Sequence, residues 1–223
     1  MEEFDIAIIG GGPAGIMAAI AASADLNVVL LEKNSSLGSK LLITGGGRCN
    51  ITNEKPIKKL LNSFHDKNFL KHSFYTFTNE MLLDLFRNRG LDFIVEDNNR
   101  VFPETEKSQD ILAILKYYLK DITIKYNYEV SDIKKEDNFI INNDIIAEKV
   151  IIATGGATFP KTGSTGDGYY LTDNPITDIK YGLVPLITKK DLSDIAGITL
   201  YDVVIKYKTF KLKDNVLISH VGL

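Results

Sequence analysis

Three features near the N-terminus predict an α/β fold built on a parallel sheet. The strand Asp5-Ile-Ala-Ile-Ile9 runs straight into Gly10-Gly-Gly-Pro-Ala-Gly15, a helix of small residues follows, and a second apolar strand, Val28-Val-Leu-Leu31, ends in Glu32. Together they form a complete βαβ dinucleotide-binding unit, which a glycine pattern alone does not establish. Gly10 permits the tight turn, Gly12 lets the backbone approach a pyrophosphate, and Gly15 lets the helix pack on the strand. The helix N-terminus, with Pro13 and Ala14 in its first turn, offers N–H groups and a positive dipole end to phosphates. Glu32, 22 residues after Gly10, lies where a carboxylate accepts from ribose hydroxyls. The uncharged run Ile6–Ala24 is about long enough to span a bilayer. Three glycines and a proline in its middle argue against one continuous spanning helix.

The expected elements continue in order. A strand over about 4–9, a helix over 13–24 and a strand over 27–32 lead into a glycine-rich loop, Asn34 to Asn53. Residues 55–90 read as helical, with Gly90 as C-cap. Phe93–Val95 and Arg100–Phe102 read as short strands about the Asp97-Asn-Asn99 turn. Ser108 or Asp110 is placed to cap a helix running through Leu119. Ile122–Tyr128 reads as a strand. Glu129–Ile133, Phe139–Ile141 and Ala147–Ala153 form an antiparallel β-meander. Lys149–Thr154, apolar throughout, suits a buried strand returning to the parallel sheet before Gly155. Val203–Tyr207, Thr209–Leu212 and Val216–Ser219 read as alternating short strands. The organisation expected is a Rossmann-like domain over 1–185 and the start of a β-rich second domain over 186–223.

Composition narrows the function. The 223 residues are 44% hydrophobic and 25% charged, with a net charge of -3, which gives no general grip on nucleic acid. A single cysteine excludes an internal disulfide and suits a reducing compartment. Met1-Glu-Glu-Phe-Asp5 has no basic n-region, so a cytoplasmic location is expected. Three scattered histidines and one cysteine predict no metal site.

Several further motifs add up to a family. Gly10–Gly15, Gly45-Gly-Gly-Arg-Cys-Asn-Ile-Thr-Asn53, Arg100-Val-Phe-Pro103, Ala153-Thr-Gly-Gly156 and Thr162-Gly-Ser-Thr-Gly-Asp-Gly-Tyr169 resemble the YhiN/BaiN-type flavoproteins. Leu183–Leu186 and Ile218–Leu223 match more loosely. The resemblance implies an FAD-binding Rossmann-like domain interrupted by an inserted β-rich domain. It also implies chains nearly twice this length, so the sequence reads as C-terminally truncated, with weakened FAD binding and turnover.

By that resemblance the cofactor is FAD, with NAD(P)H as an electron donor. Gly10, Gly12, Pro13, Ala14, Gly15, Glu32 and Lys33 then hold its pyrophosphate and adenosine. Val130 pairs with the adenine edge, and Thr154 and Gly155 lie against the cofactor. Lys40, Gly45, Gly46, Gly47, Arg48, Cys49 and Asn50 run along the pyrophosphate and flavin, the glycines forming an N–H nest. Lys40 or Arg48 offsets negative charge on phosphate or reduced flavin, with a structural ion pair as the alternative for Arg48. Arg48 and Cys49 are the candidate catalytic residues. Cys49 has no partner for a dithiol cycle and reads rather as a small buried hydrophobe. The activity implied is hydride transfer through flavin N5 to an activated C=C bond, as in an enone. Some relatives are tied to bile-acid dehydroxylation and others to reduction of a uridine in ribosomal RNA. The acidic composition favours a small-molecule substrate over RNA, no membrane partner is expected, and unpaired strand edges point to a homo-oligomer. Two readings stand beside this one: an NAD-linked dehydrogenase using Gly10–Glu32, and a nucleotide-binding fragment without turnover.

Overall fold

The computed structural model describes residues 1–180, 186–220 and 222. The chain divides into two compact units, Met1–Asn174 and Pro175–Leu223. The boundary expected near Pro185 lies outside the described residues.

The first unit opens with β1 (Glu2–Ile9), α1 (Pro13–Ala22) and β2 (Val28–Leu31). After tight 3-10 turns over Leu41–Gly47 come β3 (Thr52–Asn53), α2 (Ile57–Leu61), α3 (Lys67–Thr76) and α4 (Asn79–Arg87). Then follow β4 (Phe93–Glu96), β5 (Arg100–Pro103), α5 (Ser108–Tyr118), β6 (Thr123–Lys125), β7 (Ile133–Lys135), β8 (Phe139–Ile141) and β9 (Ile145–Ile152). A six-stranded sheet has the order β6-β2-β1-β9-β8-β7. Its first four strands are mutually parallel, and β8 and β7 continue it antiparallel. A separate antiparallel sheet has the order β3-β5-β4.

The apolar runs of β1 and β2 are explained by burial on both faces. Ile6, Ile8, Val28 and Leu30 pack with residues of α1, α4 and α5, including Ile16, Phe86 and Ile111. The alternate residues Ala7, Ile9, Val29 and Leu31 pack with Val130, Ile141 and Ala147 from the meander side. Helices therefore cover one face of β1 and β2, while residues of β8, β9 and the 128–130 segment pack against the other, which leaves the C-terminal ends of β1, β2 and β9 to carry loops.

The structure departs from the expected elements where polar side chains act locally. The run over 55–90 breaks into three helices. Asp66 accepts from Phe69 N (3.1 Å) and Thr78 from Met81 N (3.2 Å), so each starts a new helix. Neither Ser108 nor Asp110 caps α5: Ser108 is its first residue, fully buried, and donates its hydroxyl to Leu42 O (2.9 Å). That bond fastens α5 to the 41–47 turns. The meander strand and the returning apolar strand are one element, β9, which pairs antiparallel with β8 at one end and parallel with β1 along its length. Its second half is not buried throughout: Ile151, opposite Ile8, is 36% exposed.

In the second unit, β10 (Thr199–Tyr207) and β11 (Phe210–Leu217) form one antiparallel hairpin. Asp214-Asn215, which reads as a break, lies inside β11, where Asn215 Oδ1 accepts from Asp202 N (3.2 Å) beside a bulge.

Candidate functional site

A cleft of about 440 Å³ opens at the C-terminal ends of β1, β2 and β9, the position at which open α/β sheets take ligands. The glycines of its floor do different jobs. Gly10 has φ +106, and a Cβ there would lie 2.6 Å from Ala153 O. A Cβ on Gly15 would lie 1.8 Å from Gly10 O, so α1 sits on the turn with no space for a methyl. Gly12 is different: its backbone is extended, and a Cβ would meet nothing within 4 Å. The protein itself does not require glycine there, but it lines the cleft, where a side chain would occupy a ligand's space. Gly12 is also the N-cap of α1, Pro13 is its first residue, and no side chain caps it. The positive end of the helix is thus left for a ligand.

Glu32 is 6% exposed and lines the cleft. Gly11 N donates to its Oε2 (2.7 Å) and Asn34 N to its Oε1 (2.7 Å). Two backbone donors orient the carboxylate, and each oxygen keeps acceptor capacity for a hydroxyl. Opposite, the segment carrying Val130 is fixed by Asn142. Its Oδ1 accepts from Ser131 N (3.0 Å) and Asp132 N (3.2 Å), and its Nδ2 donates to Glu129 O (2.8 Å). Among the described residues the backbone N–H and C=O of Val130 have no hydrogen-bond partner. Tyr128 also lines the cleft; burial and its hydrogen bond to Asp144 push its pKa up to about 12.

Lys33 lines the cleft and is engaged by the 160–169 loop. Its Nζ donates to Asp167 Oδ2 (2.5 Å) and Thr165 Oγ1 (2.6 Å). Burial raises the Asp167 pKa, but the hydrogen bonds from Lys33 and Thr165 outweigh it and hold the carboxyl below its usual range. Asn34 Nδ2 donates to Thr162 O (3.4 Å). Gly168 N donates to Thr154 Oγ1 (3.0 Å). These contacts bind the 160–169 loop to the ends of β2 and β9. Lys40 lines the cleft, its Nζ donating to Thr158 Oγ1 (3.1 Å).

The Gly45–Asn50 loop is built otherwise. Gly45, Gly46 and Gly47 have φ of +57, +69 and +87, and Cys49 has φ +64. Arg48 stacks on Phe102 (4.2 Å to the ring centroid) and donates to Glu96 (2.6 Å) and Glu106 (2.9 Å). The Arg48 hydrogen bond holds Glu96 below the usual carboxylate range. Cys49 is buried, and burial raises its thiol pKa against an opposing hydrogen bond from Thr44. The Asn50 amide, its nitrogen taken as donor, lies against Thr52 O (3.0 Å) and Val101 O (3.3 Å).

The family model described as HI0933-like protein Rossmann domain matches residues 4–184. The chain belongs to this family. A ribosomal RNA dihydrouridine synthase of Escherichia coli is 29% identical over all of this chain and 59% of its own length. A 3-dehydro-bile acid delta(4,6)-reductase of Clostridium scindens is 32% identical over 83% of this chain and 48% of its own. The chain therefore spans about half the length of the curated relatives it matches. Among solved structures, a flavocytochrome c3 fumarate reductase aligns with TM-score 0.57 at 20% identity, over 76% of this chain and 40% of its own. A 3-ketosteroid-delta4-(5alpha)-dehydrogenase from Rhodococcus jostii aligns with TM-score 0.51 at 15% identity, over 70% and 46%. At such identities the likeness is one of fold.

Of the residues singled out from the sequence, Gly10, Gly12, Pro13, Ala14, Glu32, Lys33, Lys40, Val130, Thr154 and Gly155 come together around the cleft. Gly15 lies beneath it as a packing glycine, and Gly45, Gly46, Gly47, Arg48, Cys49 and Asn50 are outside its lining. Gly11, Asn34, Tyr128 and Asp167 line it without having been singled out. Asp167 stood in a matched motif, but its partner lies 134 residues away. Among the described residues no three His, Cys, Asp or Glu side chains gather as a metal site, and no helix is long and apolar enough to cross a membrane.

Proposed function

We propose that the cleft binds FAD and that the family chain to which this sequence corresponds is an FAD-dependent oxidoreductase. The observation that carries the reading is the buried Glu32 carboxylate, oriented by two backbone donors beside an open Gly12 and an uncapped helix. Glu32 would accept from the adenosine ribose hydroxyls. The N-terminus of α1 would face the pyrophosphate, and the unpaired backbone of Val130 would meet the adenine edge. Bound FAD supplies hydride acceptance and donation at its isoalloxazine N5. The protein's part is to hold the cofactor's adenosine half rigidly and to exclude a side chain at position 12.

The reaction we infer is reduction of a C=C bond conjugated to a carbonyl. Support comes from the two relatives' names, since dihydrouridine formation and delta(4,6) reduction both saturate a double bond of that kind. The test is the absorption spectrum and mass of the nucleotide that co-purifies with the chain, and with a version extended to the relatives' length. A flavin band and the mass of FAD are expected. Retention of NAD with no flavin band would overturn the reading in favour of an NAD-linked dehydrogenase.

A further inference from the structure

Val130 is buried and packs with Ile9, Val29 and Leu31, yet it lines the cleft. What it offers a ligand is its main chain: one N–H and one C=O, unpaired among the described residues. Backbone groups of so buried a residue rarely go without a partner. The residues on either side of it are held differently, and by one side chain.

Asn142 Oδ1 accepts from Ser131 N (3.0 Å), Ser131 Oγ (3.2 Å) and Asp132 N (3.2 Å), and its Nδ2 donates to Glu129 O (2.8 Å). Asn142 N donates to Asp132 O (3.0 Å). The same turn reaches Tyr128, whose hydroxyl donates to Asp144 Oδ2 (3.0 Å), while Tyr128 N donates to Glu32 O (2.9 Å). The Asn142 amide thus does two things. It fixes the main chain before and after Val130, and it saturates the Glu129 carbonyl and the Ser131 and Asp132 N–H groups. A ligand edge is left with the Val130 pair alone, in one order of donor and acceptor. Asn142 and Asn143 have φ of +50 and +54, so the turn is of a kind that glycine also builds; the amide is what asparagine adds at position 142.

We propose that Asn142 is a positioning residue that makes the cleft selective for adenine among purine bases. Adenine presents an amino donor beside a ring-nitrogen acceptor, which complements a backbone C=O beside an N–H. Hypoxanthine reverses that order on its pairing edge, with a carbonyl acceptor beside a ring N–H donor. With the flanking backbone groups already taken by Asn142, a reversed edge finds no second register. The proposal rests on the placement of adenosine in the FAD reading above and says what enforces it.

The test titrates the intact chain with ADP and with IDP, which differ only in the base, and records melting temperatures in parallel. The parent should prefer ADP by at least about tenfold. Asn142→Gly keeps a backbone suited to positive φ and removes only the amide; its preference should fall to within about twofold. Asn142→Asp, which sets an oxygen against Glu129 O, should also lose preference and gives a second reading if the glycine protein does not fold. Asn143→Ala disturbs the same turn without touching residues 129–132 and should keep the parent's preference. Parent-like preference in Asn142→Gly would overturn the proposal. So would an equal loss in Asn143→Ala, which would mean that any loosening of the turn has this effect. A parent that binds both nucleotides equally would overturn it too, while a flavin band in the purified protein would leave the FAD reading standing. Preference for ADP without a flavin band would do the reverse.

Discussion

Two glycine-rich loops of this chain, Gly10–Gly15 and Gly45–Asn50, look alike in composition and differ in what their glycines answer to. In the first, Gly10 and Gly15 are demanded by the protein's own backbone, while Gly12 faces open space over the cleft. In the second, all three glycines have positive φ, and Gly46 has nothing within reach of a Cβ. The charges differ too. Glu32 is buried and oriented by N–H groups, whereas Arg48 is drawn onto Phe102 by Glu96 and Glu106. A glycine run therefore marks a site only when strand, helix and carboxylate constrain what it can face.

The comparison can be tested by substitution. The largest effect is expected at Gly15. Its alanine methyl would strike the Gly10 carbonyl, and that backbone cannot yield without moving α1 off β1. A loss of about 3 kcal/mol or more is expected, read as a large fall in melting temperature or as insoluble protein. A stable Gly15→Ala protein would mean that the helix seats less tightly than described.

Glu32→Ala comes next. It removes the acceptor for two backbone N–H groups, so both stability and affinity should fall. A buried donor left unpaired costs about 1–3 kcal/mol. Denaturant unfolding should register that cost, and an FAD titration a further loss of at least about tenfold. Lost affinity with unchanged stability would mean that the Gly11 and Asn34 donors find other acceptors.

Asp167→Asn should have a smaller, pH-dependent effect. The folded-state pKa of Asp167 is depressed. Its contribution is thus complete above the ordinary aspartate value of about 3.9 and is lost as pH falls through the lower folded value. At neutral pH the variant should be less stable by about 0.5–1 kcal/mol, the partly exposed pair being screened by water. Melting curves of parent and variant should converge in acid; a constant gap would remove the Lys33 pair as the cause.

Arg48→Ala should change least. Its ion pairs are partly exposed, so a slight fall in melting temperature that added salt diminishes is expected. In FAD-loaded protein the flavin potential should match the parent's. A shifted potential would bring Arg48 back to the flavin and make the second loop more like the first.

How much of this was legible in the sequence follows the range of the interactions. The βαβ unit is written in contiguous residues, and the observed β1, α1 and β2 lie within two residues of the expected spans. Val130 was singled out by resemblance, and it lines the cleft. Its immobilisation by Asn142 was not legible, because one side-chain amide spans 11 residues to Ser131 across a meander turn. The fates of Lys33 and Arg48 were hidden for the same reason. Asp167, Glu96 and Glu106 lie 134, 48 and 58 residues away, and nothing local announces which cation each will take. Ser108 carried a capping signal, yet tertiary contact with Leu42 claimed its hydroxyl. The β10–β11 hairpin was divided too finely because Asp214-Asn215 carries turn chemistry inside β11, opposite a bulge in β10.

The central claim is that position 12 is kept empty for FAD and not for the fold. Gly12→Val tests it most directly, because valine accommodates the extended backbone at that residue and its Cβ meets no protein atom within 4 Å. The measurement is an FAD titration of parent and variant, with the melting temperature of each in the absence of nucleotide. The account predicts a melting temperature lowered by no more than the modest cost of an apolar N-cap, and an affinity loss on the order of a hundredfold. Equal FAD affinity in the two proteins would contradict it, because the cofactor would then have to lie elsewhere than over Gly12.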